Sequence, residues 1–251
     1  MNKLLALFIV SMAFVMPAVA VNGTVPAGAA ILMKVYPQQV KGYADGCLLM
    51  ADGTSIVYDD GREKDFLTML DDSDPEDMFR VAYDRTASKP PYLADGGRSR
   101  CEELFKSMYG NSAAEVQRHF TRVAWFGQQL PFTTVNGAAD SLRAVAAELA
   151  QHPELKKYLT QASTFYWRPV RGAKRLSAHS YGMTIDINTR YSDYWLWTNP
   201  RAGETDSLRY ANRIPMDIVD VFERHGFIWG GRWYHYDTMH FEFRPELLYK
   251  P

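Results

Sequence analysis

Two short stretches in the last third of the chain constrain the fold more than any other feature, because their chemistry works only if they meet. The first runs Ser177-Ala-His179-Ser-Tyr-Gly182-Met-Thr-Ile-Asp186. The second runs Trp233-Tyr-His-Tyr-Asp237-Thr-Met-His240-Phe-Glu242. Of the six histidines, only His179 and His240 stand near carboxylates in a pattern that metal chemistry explains. Catalytic zinc commonly takes three protein ligands of histidine and carboxylate type and keeps one position for water. A loop containing Gly182 lets His179 and Asp186 converge on one ion, and a later strand can add His240. Asp237, three residues before His240, is then placed to act as base toward the bound water.

Neither stretch is an HExxH helix, so spacing leaves other readings open. Asp237 could be a turn carboxylate and Glu242 a salt-bridged strand residue. His225 precedes Gly226 at a helix end, where its charge suits the helix dipole, and reads as structural. His235 is the rival ligand.

The surrounding pattern is that of a mixed α+β chain. ILMKVY, GCLLMA and SIVYDD read as short strands broken by Asp-Gly turns at 45–46, 52–53 and 60–61. Residues 71–99 are rich in Asp, Pro, Ser and Gly and read as irregular. A helix is expected from Cys101 to Tyr109, and another from Ser112, where Glu115 closes a capping box. Ala138 to Ala150 has Leu142, Val145, Ala146 and Leu149 at helical spacing. STFYWR (163–168), MTIDI (183–187) and Met239 to Arg244 read as strands. Pro215 opens a helix that runs to Gly226. The expected architecture is a small antiparallel sheet with flanking helices carrying a zinc cleft, plus an N-terminal accessory segment. A soft boundary near residue 130 separates 21–130 from a compact unit at 131–251.

The first twenty residues carry the three parts of a signal peptide: Lys3, the apolar stretch 4–15, and the small-x-small site Ala18-Val19-Ala20. No other segment is long and apolar enough to span a membrane. The expectation is a soluble exported protein, periplasmic or secreted, with no stable membrane insertion after cleavage. In an oxidising compartment Cys47 and Cys101 are expected to pair. Formal net charge is -1 and no block of like charges stands out, so neither nucleic acid nor an anionic membrane is indicated as a partner. Aromatic runs such as YSDYWLW and RWYHY suggest a ring-lined cleft or a tight core. Trp195, Trp197, Trp229 and Trp233 are the candidates.

SAHSYGMTIDIN resembles the SxHxxGxAxD motif of the D-alanyl-D-alanine carboxypeptidase and L-alanyl-D-glutamate endopeptidase family of zinc peptidases, the VanY-like group. HGFIWGGRWYHYDTMHFEF is similar to that family's closing segment, in which a carboxylate stands three residues before the last histidine ligand. With YWRPVRG, the resemblance covers roughly residues 130–251. It implies one zinc ion on His179, Asp186 and His240, with Asp237 as catalytic base. It also implies Arg168 as the arginine that helps to hold the substrate carbonyl, with Arg171 and Arg175 close by. Thr184 stands where the family usually has Ala, and Asp237 where many members carry Glu. Ser177 and Tyr181 could orient ligands or substrate.

The implied function is hydrolysis of peptide bonds in peptidoglycan stem peptides, as a D,D-carboxypeptidase or an L-Ala–D-Glu-type endopeptidase. A carboxypeptidase should offer a cation to the free carboxylate, and Arg171, Lys174, Arg175 and Arg190 are candidates. The alternatives are a non-catalytic zinc-containing wall-binding protein, or a wall- or partner-binding module in 21–130 with the peptidase as effector.

Overall fold

At Asp45-Gly46 both residues take positive φ, 50° and 78°, and the chain reverses into a hairpin, as such a pair favours. Strand β1 (Val40–Ala44) pairs antiparallel with β2 (Cys47–Met50), and β2 with β3 (Ser55–Val57). The computed structural model describes residues 24–87 and 89–250; the segment read as a signal peptide lies outside them. No helix among the described residues is long and apolar enough to cross a membrane.

The run ILMKVY is not a strand. It forms the second half of helix α1 (Ala27–Val35). Alanines lead into it, and Ala29, Leu32 and Tyr36 fall at helical spacing on one fully buried face. A short α2 (Phe66–Asp71) is capped by the Asp65 carboxylate, which accepts from the Thr68 N–H. Among its described residues, the stretch expected to be irregular holds the last residue of α2 and a 3-10 turn at Asp77–Phe79.

Helix α3 (Glu102–Tyr109) and helix α4 (Ala113–Gln117) lie where expected. Ser112 Oγ accepts from the Glu115 N–H at 3.3 Å, while the Glu115 carboxylate reaches Asn111 rather than Ser112. The hairpin β4 (Phe120–Trp125) and β5 (Gln128–Thr133) follows. Helix α5 (Ala138–Leu149) packs on it through Leu142, Val145 and Leu149, and α6 (Lys156–Leu159) comes next.

Residues 163–168 are not a strand either. They touch a sheet at one point, the bridge between Ser163 and Asp186. Their backbone groups are spent on the His179 turn instead. Thr164 O meets the His179 ring, the Tyr166 N–H reaches His179 O, and the Arg168 N–H reaches Ser180 Oγ.

The third sheet places the two histidine stretches side by side. Its strands are β6 (Thr184–Asp186), β7 (Phe227–Trp229) and β8 (His240–Phe243), antiparallel, in the order β6-β8-β7. Helix α7 (Trp195–Thr198) follows β6, α8 (Met216–Arg224) precedes β7, and α9 (Pro245–Leu248) ends the fold. β8 is central and buried throughout. Phe222 of α8 stacks on its Phe241 at 3.8 Å between ring centres.

One hydrophobic cluster runs from Ala29 and Leu32 to Phe241 and Phe243. The boundary drawn near residue 130 falls inside β5. Buried polar ties cross it as well: Tyr36 Oη to the Glu246 carboxylate, Trp233 Nε1 to Gly96 O, and Arg244 Nη1 to Gly97 O. Cys47 and Cys101 are both free, so the expected bridge is absent. Cys47 is half-buried on β2 with its thiol toward Asp45 O, whereas Cys101 is buried at the start of α3.

Candidate metal centre

His179 sits on a 3-10 turn, Ala178–Tyr181, that ends at Gly182 with φ 66°. A side chain at Gly182 would be strained by that φ. Its Cβ would also lie 2.3 Å from the Phe120 ring. Glycine therefore permits the reversal that sends the chain into β6. The His179 ring donates through Nδ1 to Thr164 O, which leaves Nε2 free and 3.2 Å from Asp186 Oδ2.

Asp186 lies directly opposite His240 in the β6–β8 ladder. His240 Nδ1 is 3.0 Å from Asp186 Oδ1, and its Nε2 is 3.2 Å from Glu242 Oε2. Glu242 is two residues further along β8 and so shares a strand face with His240. It is the salt-bridged strand residue that one reading of the sequence allowed, held by Arg244 at 3.0 Å. Its hold on the His240 ring is the role that reading missed, and the His-x-Glu spacing in a strand was the available signal.

The ligand atoms of His179, Asp186 and His240 lie within 4.8 Å of one another. They fit a zinc ion in three respects. The donor set mixes imidazole and carboxylate, as such centres do. Each histidine has its outer nitrogen fixed by a carbonyl or carboxylate, as ligating histidines usually have. The buried Asp237 Oδ1 has no hydrogen-bond partner among the described residues.

The electrostatics point the same way. Burial would raise Asp186, but His179 and His240 hold it well below the usual carboxylate range. Burial would lower His240, yet Asp186 and Glu242 push it up to about 10. Glu242 is raised by burial but brought down to about 2 by Arg100, His240 and Arg244. The carboxylates thus call for positive charge at the point where the imidazoles meet.

Asp237 reaches this point through a turn. Its carbonyl accepts from the His240 N–H at 3.2 Å, and its own N–H donates to Gly230 O at 3.0 Å. A Cβ at Gly230 would lie 2.5 Å from Asp237 O, so the approach needs glycine. Burial, with the Asp186 carboxylate adding, pushes Asp237 up to about 7; His240 and His179 oppose this.

These four residues line one cavity of about 540 Å³. Arg168 is at its mouth, exposed, with its guanidinium 5.9 Å from the centre of the Tyr166 ring. Arg171 and Arg175 also line it, whereas Lys174 and Arg190 do not. Ser177 is in the wall; Tyr181 is buried and its hydroxyl lacks a partner among the described residues, as does Thr184 Oγ1. Trp195, Trp197 and Trp233 face the cavity, while Trp229 is in the core and donates to Thr238 O. His235 lies in the wall but outside the ligand cluster. Asp95 takes both its backbone N–H, at 3.0 Å, and its Nδ1, at 2.6 Å. His225 meets Glu148 at 2.8 Å beside the end of α8. A larger hollow, about 840 Å³, lies between the β4–β5 hairpin and α5, and neither histidine nor carboxylate lines it.

Residues 171–243 match the family described as D-alanyl-D-alanine carboxypeptidase. The resemblance holds over this segment, which is carboxypeptidase-like peptidase sequence and contains His179, Asp186, Asp237 and His240. Arg168 lies just before it. The comparisons with curated proteins and with solved structures gave no match.

Proposed function

Proceeding from a peptidase segment of this kind, we propose that the protein is an exported zinc peptidase acting on peptidoglycan stem peptides, by trimming terminal D-Ala or by cutting an internal bond of the L-Ala–D-Glu type. The observation that carries this reading is Asp237, whose carboxylate opens into the same cavity as the His179–Asp186–His240 cluster. His179 through Nε2, Asp186, and His240 through Nδ1 would hold the ion. Zinc bound there supplies a Lewis acid for the scissile carbonyl and acidifies water.

The chain's own residues account for the rest. Asp237 takes a proton from water as the water oxygen adds to the carbonyl carbon. When the C–N bond breaks, Asp237 returns that proton to the departing amine. A carboxyl group raised to about 7 is suited to both transfers at neutral pH. Arg168 brings positive charge to the mouth, where it can steady the oxyanion. Glu242 keeps His240 in one orientation.

The leader-like first twenty residues support export, to the periplasm or beyond, which is where a stem peptide is met. A wall-binding protein without catalysis would not need a base beside the ligands. Digestion of defined muropeptides by the zinc-loaded protein, with products identified by mass spectrometry, tests the reading. Free D-Ala marks a carboxypeptidase and an internal cut marks an endopeptidase. Unchanged muropeptides would remove the proposal.

A further inference from the structure

Among the described residues, the cavity wall holds a largely buried cation, Arg100, without a close anionic partner. Arg100 precedes α3, outside the matched segment, and lines the cavity. Its side chain is only 10% exposed. Among the described residues its guanidinium makes no hydrogen bond. Its nearest anion, Glu242 Oε2, is 3.6 Å away, beyond hydrogen-bond length. That carboxylate is already met by His240 and Arg244.

The other cavity arginines differ. Arg98 is held by Asp95 at 2.8 Å and by Glu204 at 3.0 Å. Arg175 pairs with Asp71 through Nη1, though its buried Nε has no partner among the described residues. Arg168 and Arg171 are exposed. A buried guanidinium with open donors is costly, and its planar fork fits a carboxylate. Burial pulls Arg100 below the usual arginine range; Glu242 opposes this, and Arg244 and Arg175 add to it. The position calls for another anion.

We infer that Arg100 binds a substrate carboxylate, and that this carboxylate belongs to the residue on the amine side of the scissile bond. Arg100 and His240 flank the same Glu242 oxygen, so the fork lies close to the ligand cluster. On the acyl side the α-carboxyl is itself the scissile carbonyl. A free α-carboxylate within one residue step, ~3.8 Å between Cα atoms, therefore belongs to the amine-side residue. Two stem-peptide residues meet this condition: a terminal D-Ala, and a D-Glu linked onward through its γ-carboxyl. The inference rests on the peptidase reading.

The test uses the full-length, zinc-loaded protein and two substrate pairs. One is diacetyl-Lys-D-Ala-D-Ala and its C-terminal amide. The other is L-Ala-γ-D-Glu-Lys and its counterpart with the glutamate α-carboxylate amidated. The acid of one pair should be preferred by about 10- to 100-fold in kcat/KM, the range of a hydrogen bond to a charged group. That pair identifies the source. Arg100→Gln should bring the acid-to-amide ratio close to one, chiefly through KM, and Arg100→Lys should recover part of it. A purely structural role would lower acid and amide alike and leave the ratio intact, and this result overturns the inference.

Tryptophan fluorescence titrations with D-alanine, D-alaninamide, D-glutamate and D-isoglutamine read the same preference without turnover. Arg100-dependent binding of the acids without cleavage of any peptide would keep Arg100 as a carboxylate site but remove the peptidase reading and, with it, the placement on the amine side of a scissile bond. Cleavage without a carboxylate preference, or with one that survives Arg100→Gln, would do the reverse. Arg100→Lys keeps a charge beside Glu242 and serves where the glutamine variant does not fold.

Discussion

The cavity is built from two regions that contribute in different ways. Residues 171–243 bring the groups that would touch the ion: a histidine from a turn, a carboxylate and a histidine from facing strands, and a base from the loop between. The region before β4 brings none of these. It supplies Asp95 behind His235, the carbonyls of Gly96 and Gly97 beneath Trp233 and Arg244, and Arg100 beside Glu242. The matched segment holds the proposed ligands and base, and the unmatched region fixes some of the residues around them. A motif can therefore be complete over a stretch of chain that lacks much of its own supporting core.

The strongest challenge to this contrast is to remove the support. Residues 131–251 expressed alone should show no cooperative melt by circular dichroism, because the shared cluster and the buried ties are cut. A stable fragment that binds zinc would show that the N-terminal region is dispensable to the fold. Asp237→Asn should lower kcat/KM by about 10²–10⁴-fold and leave zinc content intact. His240→Ala should lose both, and normal zinc in that variant would break the ligand assignment and bring His235 back as the third ligand.

The pH profile sharpens the comparison from the reactive side. Without an ion, burial pushes Asp237 up to about 7, and the charge of bound zinc would bring it lower. kcat/KM of the zinc-loaded protein should decline on the acid side as Asp237 takes a proton and can no longer accept one, and an unchanged acid limb in Asp237→Asn would exclude Asp237 as base. Glu242→Gln should weaken zinc binding by about 10- to 100-fold, read by competition with a chelating dye, because it disturbs an acceptor and not a ligand. Tyr36→Phe removes a buried hydrogen bond to Glu246, a carboxylate that reaches Glu242 only through Arg244. It should cost about 1.5–3 kcal/mol of stability, read by denaturant melts, without changing zinc affinity.

How much could be read in advance divides along a physical line. Local rules served well where short-range chemistry decides. The Asp45-Gly46 turn, the Ser112 cap, α5 and the strand ending at Asp186 all lie where the residues place them. The grouping of His179, Asp186 and His240 was made plausible by Gly182 and two spacings, and specific by the resemblance of both stretches to a peptidase family. Local rules failed where distant partners decide. ILMKVY is helical because one face of it packs into the shared core. STFYWR is not a strand because the His179 turn takes its hydrogen bonds. Arg100 carried no local signal, since an arginine before a helix is ordinary until the fold buries it. The cysteine pairing failed for the same reason, because sequence separation says nothing about which side of a sheet a thiol faces.

One backbone hydrogen bond runs from the His240 N–H to the Asp237 carbonyl. It makes the proposed base and the proposed third ligand two ends of a single short span. A bond across so short a span restrains the two backbones from separating. The spacing of three residues then works as a ruler. Thr238, buried with its hydroxyl accepting from the Asp193 N–H, and Met239, in the cavity wall, hold that count in place, and one inserted residue would separate proton transfer from the metal even with every named side chain still present.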